Sequence, residues 1–441
     1  MSGIPPSTPP EPGKLTQATR LLRALLAGHR RLFATAVAGA SVYATCTVLS
    51  AFVIRLVTDK LITPRFERGH VAAATVVGVL ALLVAVALVR AADFARERLS
   101  LAARRLGTAD PSSALGELID RSFEHPLGDS RYRGNTLCPG CAIPLEHSFD
   151  EMSASSLRLG LEAVPGASPD ARRHETTRAM RALVDQHFGA RALSWFDRSS
   201  ETWRGMHAPG DQRFGAWFGA AFDEAGMQTS KVYYECTRDQ LDALPPNLRQ
   251  AARVAMACLP ALVPAFVSVA CGRAQGAQRV YFYHNADLRL LDLEPLMNRL
   301  GVGHQLPGLL TAVGLILGGR FVLPRGSVIL GIRDTSKGFE LKMHVVVPEV
   351  PDAPSQMHGL IQMHLAQRPG SQRAMRHWFQ AMTPDQERAP GAISVVGIRI
   401  APALSGRLTV YFTPVGYDRP ASRPRGARRD DPYATNPYAE P

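Results

Sequence analysis

Cations and phenols recur together at every second residue in short segments of this chain. Leu157-Arg158-Leu159-Gly160-Leu161-Glu162 sets Arg158 and Glu162 on one side and leucines on the other. Lys231-Val232-Tyr233-Tyr234-Glu235 does the same with Lys231, Tyr233 and Glu235. Arg279-Val280-Tyr281-Phe282-Tyr283 aligns Arg279, Tyr281 and Tyr283, and Leu341-Lys342-Met343-His344-Val345 aligns Lys342 and His344. Arg407-Leu408-Thr409-Val410-Tyr411-Phe412 aligns Arg407, Thr409 and Tyr411. A period of two places alternate side chains on opposite faces of a strand. A solvated sheet face would also be polar, but it would favour Glu, Thr, Ser and Arg over aromatic rings. The chain has only 5 Lys against 45 Arg, and two of those lysines fall in these segments. If the strands close into a barrel, their polar faces meet in a lumen. Such a chamber suits an anion lying beside a greasy or cationic group.

Further elements must hold those faces in place. Segments 266–271, 328–333 and 393–400 read as hairpin partners of the strands at Arg279, Lys342 and Arg407. The last two partners share Gly-Ile-Arg, at Gly331-Ile332-Arg333 and Gly397-Ile398-Arg399. Helical patterns at 170–188 and 248–259 separate the strands. The polar-face strands therefore predict a hairpin-plus-helix unit used four or five times, in an α+β or α/β arrangement.

Length and charge divide the chain further. At 441 residues it exceeds one ordinary domain. A 46% hydrophobic and 20% charged composition excludes wholesale disorder, collagen and coiled coil. Six cysteines exclude a disulfide-dense secreted scaffold. The net charge of +12 is concentrated in residues 1–107, with 14 Lys and Arg against 5 Asp and Glu. Two uncharged stretches, 32–54 and 71–89, lie there, each long enough to span a bilayer as a helix. Ten basic residues flank this pair on its outer sides and four lie in the connecting loop. That bias predicts both ends, and the large C-terminal part, on the cytoplasmic side of a membrane. The order of basic amphipathic segment, span, loop, span and basic helix resembles the first two transmembrane helices of an ABC exporter. No G-x-x-x-x-G-K-[ST] phosphate loop accompanies it, so the segment reads as an anchor rather than an ATP-driven transporter. The expected organisation is a disordered leader (1–13), a two-helix transmembrane anchor (14–107), a linker (108–137), a barrel (138–417) and a disordered tail (418–441). The basic charge has this membrane explanation, and no nucleic-acid motif is present.

Ile143-Pro144-Leu145-Glu146-His147-Ser148-Phe149, followed by the Arg158 strand with its closing Glu162 and the Lys231-x-Tyr233 strand, resembles indole prenyltransferases of the dimethylallyltryptophan synthase type. GFELKMHVVV (338–347) and RLTVYFTPVGY (407–417) are similar to strands of cyanobactin peptide prenyltransferases. The resemblance covers about residues 138–417. It implies the ABBA fold, an antiparallel barrel of about ten strands inside a ring of α-helices. It also implies transfer of a dimethylallyl or longer prenyl group from an isoprenyl diphosphate to an indole-like or phenolic acceptor, a small molecule or a peptide. By the same resemblance Arg158, Lys231, Arg279, Lys342 and Arg407 bind diphosphate. Tyr233, Tyr281, Tyr283, His344 and Tyr411 shield the carbocation, and Glu146 is the base. Tyr281 stands where the family often has a second cation, and His344 where it has a tyrosine. Diphosphate held by cationic side chains needs no metal cofactor.

Other motifs carry less. Cys138-Pro139-Gly140-Cys141 is a single C-x-x-C, read as a turn before the Glu146 segment rather than as half of a zinc site. No H-E-x-x-H, G-x-S-x-G or Asp-rich magnesium signature occurs. Two rivals to an enzyme remain: an inert membrane-tethered barrel that binds a hydrophobic or aromatic ligand, and a transport accessory protein built around the hairpin.

Overall fold

The computed structural model describes residues 91–138, 143–205, 213–274, 276–385 and 387–415. All belong to the compact unit Leu88–Pro441. The leader, the stretches 32–54 and 71–89, Cys141 and the tail 418–441 lie outside the described residues. Among the described residues no helix is long and apolar enough to cross a membrane.

Among the described residues twelve strands follow one another: β1 (Leu145–Asp150), β2 (Leu157–Leu161), β3 (Ala216–Asp223), β4 (Gly226–Glu235), β5 (Leu262–Gly272), β6 (Ala277–His284), β7 (Leu288–Arg289), β8 (Val322–Leu323), β9 (Val328–Thr335), β10 (Gly338–Val346), β11 (Gly391–Ala401) and β12 (Leu404–Pro414). Strands β7 and β8 pair with each other alone, and the other ten close into an antiparallel barrel. Every barrel strand pairs with its sequence neighbour, except at β6–β9 and at the β1–β12 closure. Five hairpins thus make the wall, including the three pairs predicted at Arg279, Lys342 and Arg407. Gly226 (φ +110°) and Gly338 (φ +107°) open β4 and β10 in backbone conformations that L side chains rarely adopt.

Between hairpins the chain leaves as helices, which cover the outside. The longest, Pro169–Phe188, starts where Ser168 Oγ accepts from the Ala171 amide at 3.3 Å and proline occupies the first turn. Met180, Leu183 and Val184 are buried on it. The period-two pattern then sorts side chains into two clusters. Outward residues such as Phe218, Val232, Val267, Val280, Leu330, Met343, Ile398 and Val410 form one core with the helices. Phe214, Trp217, Ala265, Phe266, Tyr281 and Ile329 form a second cluster inside the barrel.

Two segments outside the predicted barrel boundaries pack on it. Helical residues 91–106, assigned above to the anchor, bury Ala95, Leu99 and Ala103 in the main core. Arg98 donates to the Val415 carbonyl at 3.1 Å and Arg105 to that of Thr383 at 2.9 Å. The stretch read as linker holds two short helices, Pro111–Ala114 and Gly116–Ser122, and a 3-10 turn, Ser130–Gly134.

Candidate active site

Strand register stacks the inward side chains in levels. Tyr233 lies opposite Ser268, which faces Arg279; Tyr281 faces Gly331, which faces Lys342; Lys342 faces Arg399. Side chains from separate hairpins therefore converge on a cavity of about 200 Å³.

The base of the barrel is cationic. Arg158, Lys231, Arg279, Lys342 and Arg399 come from β2, β4, β6, β10 and β11, with Arg333 of β9 beside them. Two carboxylates tie this group together. Glu340 accepts from Arg279, and from Arg333 at 2.7 Å, with Arg399 at 3.5 Å. Asp150 accepts from Arg399 at 2.9 Å and lies 3.7 Å from Arg158. Burial alone would raise the Glu340 carboxyl, but Arg279, Arg399 and Arg333 outweigh it and hold it at about 2. The lysines have no carboxylate of their own. Burial pushes Lys231 well below its usual range, and Arg158, Arg279 and Arg399 push it further. Lys342 is depressed likewise, first by burial and then by Arg399. Six bases thus face two acids, and this basic excess suits an anion such as a diphosphate ester.

Above the cations runs a belt of rings. Tyr233 and Tyr281 stand 6.1 Å apart between centroids, Tyr281 and His344 5.9 Å, and His344 and Tyr411 5.7 Å. Lysines support the belt from below: Lys231 Nζ is 5.6 Å from the Tyr233 ring, and Lys342 Nζ donates to Tyr411 Oη at 3.1 Å. Burial and then the cations around it drive the His344 imidazole well below its usual range, so it sits neutral among the phenols.

The third level is apolar. Phe214 stacks on Trp217 at 3.7 Å and Phe266 on Tyr281 at 4.4 Å, with Tyr283, Ile329 and Val346 beside them. Glu146 faces this level from β1, and Ser394 donates to it at 2.8 Å. Burial raises its carboxyl to about 7, against the Ser394 hydrogen bond and Lys342. A carboxylate poised near neutrality is suited to take up a proton.

Two rim carboxylates fix the loops of this end. Glu162 accepts from the Thr136 and Leu137 amides at 2.6 and 2.8 Å. Thr136 Oγ1 donates to Glu162 at 2.9 Å and accepts from Trp217 Nε1, also at 2.9 Å. Glu235 accepts from the amides of Arg213, Phe214 and Gly215 at 2.9–3.0 Å.

Of the predicted site residues, Glu146, Arg158, Lys231, Tyr233, Tyr281, Tyr283, His344 and Tyr411 line the cavity. Arg279 and Lys342 are buried in the cationic level at its base. Arg407 is not brought there. It shares the inward parity of Thr409 and Tyr411, but at the far end of β12 its guanidinium pairs with Glu151 at 2.8 Å. Arg368 binds the same carboxylate, and Ser371 donates to it at 2.8 Å, so Arg407 helps to fix a helix. Cys138 is buried with its thiol toward the Leu145 carbonyl at 3.6 Å. Among the described residues no group of His, Cys, Asp and Glu forms a metal-ligand set.

Sequence reasoning missed Arg333, Arg399, Asp150 and Glu340, although the Gly-Ile-Arg repeat pointed to the first two. A Cβ at Gly331 would meet Tyr281 at 2.8 Å, and one at Gly397 would meet His344 at 2.7 Å and Lys342 at 2.9 Å. Each glycine makes room for belt and base, and the arginine two residues on adds a cation. Gly397→Ala is therefore expected to displace His344 and Lys342 and to cost about 1–3 kcal/mol of stability by overpacking. Thermal unfolding checks this, and an unchanged melting temperature would contradict the tight approach.

No family profile and no curated protein matches the sequence significantly. Solved structures do match. The 6-dimethylallyltryptophan synthase from Micromonospora olivasterospora, in complex with DMASPP and Trp, superposes with a TM-score of 0.59 at 16% identity, over 73% of this chain and 97% of that one. The 5-dimethylallyltryptophan synthase from Streptomyces coelicolor gives 0.56 at 16% identity, over 75% and 99%. Prenyltransferase PriB, in ternary complex with L-tryptophan and dimethylallyl thiolodiphosphate, gives 0.53 at 18% identity, over 73% and 95%. The ten-stranded barrel with its outer helices is thus the fold of these aromatic prenyltransferases.

Proposed function

We propose that the chain is an aromatic prenyltransferase that moves a dimethylallyl group from its diphosphate to an indole-like or phenolic ring. The observation that carries this reading is the stacking of three levels in one lumen: cations, then phenols, then an apolar space faced by Glu146. Structural neighbours with tryptophan and dimethylallyl thiolodiphosphate bound support it.

In the reaction the allylic C–O bond breaks and its electron pair leaves with the diphosphate. Arg158, Lys231, Arg279, Lys342 and Arg399 stabilise that developing charge in a water-poor site. Tyr233, Tyr281, Tyr283, His344 and Tyr411 face the allylic cation, each ring contributing about 0.5–2 kcal/mol. A ring carbon of the acceptor supplies the pair for the new C–C bond. The resulting ring cation gives its N–H proton, where the acceptor is an indole, to Glu146. Rearomatisation then moves the ring C–H proton to that nitrogen, so one proton is released overall. With charge supplied by side chains, diphosphate binding is metal-independent in this proposal.

The test incubates the full-length chain with dimethylallyl diphosphate, EDTA and a panel of indoles and phenols. Mass spectrometry is expected to find acceptors heavier by one five-carbon unit. Tight binding of the diphosphate with no such product from any acceptor would favour an inert barrel instead.

A further inference from the structure

The cationic level mixes two kinds of base, and only one kind can give up its proton. An arginine stays charged wherever it is placed, whereas a lysine crowded by cations and removed from water yields. A chain with 45 Arg places two of its 5 Lys at this level. Lys231 stands between Gly219 of β3 and Ala270 of β5, neither of which has a polar side chain. Lys342 stands between Gly331 of β9 and Arg399 of β11. The carboxylates at this height answer arginines. Glu340 pairs with Arg279, with Arg333 at 2.7 Å and with Arg399 at 3.5 Å. Asp150 pairs with Arg399 at 2.9 Å and Arg158 at 3.7 Å. Among the described residues these ion pairs leave both lysines without one.

The remaining titratable groups around the lysines add no compensating charge at their height. Burial raises the Tyr233 and Tyr411 phenols, which therefore keep their protons. Tyr281 and the neutral His344 complete the belt, and Glu146, pushed up to about 7, acts on Lys342 from β1. Burial first, and then Arg158 around Lys231 and Arg399 around Lys342, hold both amines well below the usual lysine range. Resting on the diphosphate site of the prenyltransferase reading, we propose that Lys231 and Lys342 are neutral amines in the ligand-free barrel and are protonated as the diphosphate binds. Each amine takes one proton from solvent, donates it in a hydrogen bond to a phosphate oxygen and returns it when the product diphosphate leaves. The arginines then supply the standing charge that attracts the anion, and the lysines add theirs only while it is present.

The uptake is measured by calorimetry of dimethylallyl thiolodiphosphate binding to the full-length chain at about pH 8, where the ligand is itself ionised. Buffers of different ionisation enthalpy give the number of protons bound with each ligand. About one to two protons are expected, and affinity should weaken as pH rises, about tenfold per pH unit for each proton taken up. Lys231→Met and Lys342→Met should each lower the uptake by about one proton, whereas Glu146→Gln should leave it in place. No uptake by the wild type, with affinity independent of pH, overturns the proposal even if the acceptor panel yields product. So does uptake that both lysine variants keep and Glu146→Gln abolishes. Uptake without product from any acceptor upholds this inference and rejects the enzymatic reading, and a thiolodiphosphate that does not bind at all rejects both.

Discussion

Glu146→Gln is expected to lower kcat by about 10²–10⁴-fold, the usual contribution of a positioned base. Affinity for dimethylallyl thiolodiphosphate should stay within a few-fold, because of the cations at the base only Lys342 acts on Glu146. A pH profile gives an independent check. With its carboxyl at about 7, Glu146 is protonated in mild acid. Wild-type kcat/KM should therefore rise through neutrality and level off above it, and that rise should be missing from residual Gln activity. Stability should show the opposite sign. Between the ordinary carboxylate range and about 7 the native state holds a proton that the unfolded chain has lost. This group's contribution therefore favours folding in acid and is lost as pH rises. Gln should raise the melting temperature more at about pH 8 than at about pH 5. Equal shifts at both would show that burial does not strain Glu146.

Lys342→Met is expected to give the second large effect. Removing one preorganised charge from a departing anion costs about 10²–10³-fold in rate. Lys342 also supports Tyr411, so the belt loses a hydrogen bond as well. Folding should move the other way. Lys342 is depressed by burial and by Arg399, so below its ordinary range the unfolded chain binds a proton that the native state holds poorly. The charge opposes folding at neutral pH, and methionine should raise the melting temperature while it lowers activity. A variant both less stable and fully active would contradict the account.

The same crowding explains what could be read from the sequence. Period-two alternation at Lys231, Tyr233, Arg279, Tyr281 and His344 identified the inward faces, because inward and outward residues meet different surroundings at every strand. The hairpins were legible for the same reason. Arg407 misled because alternation gives the face of a strand and not the height along it. It points inward but lies past the cavity, beside Glu151. Arg399 and Arg333 follow glycines whose value depends on a ring from another hairpin. Asp150 and Glu340 pair with arginines up to 249 residues away in sequence. Glu162 shares the strand parity of Arg158, but its carboxylate holds the amides of Thr136 and Leu137. Local pattern carries none of these contacts.

The most direct test of the central claim is a single turnover of the full-length chain in EDTA, following both inorganic diphosphate and prenylated acceptor. One diphosphate is expected per five-carbon group transferred, with both slowed together by Lys342→Met. Diphosphate bound but neither released nor accompanied by transfer, in wild type and variant alike, would contradict it.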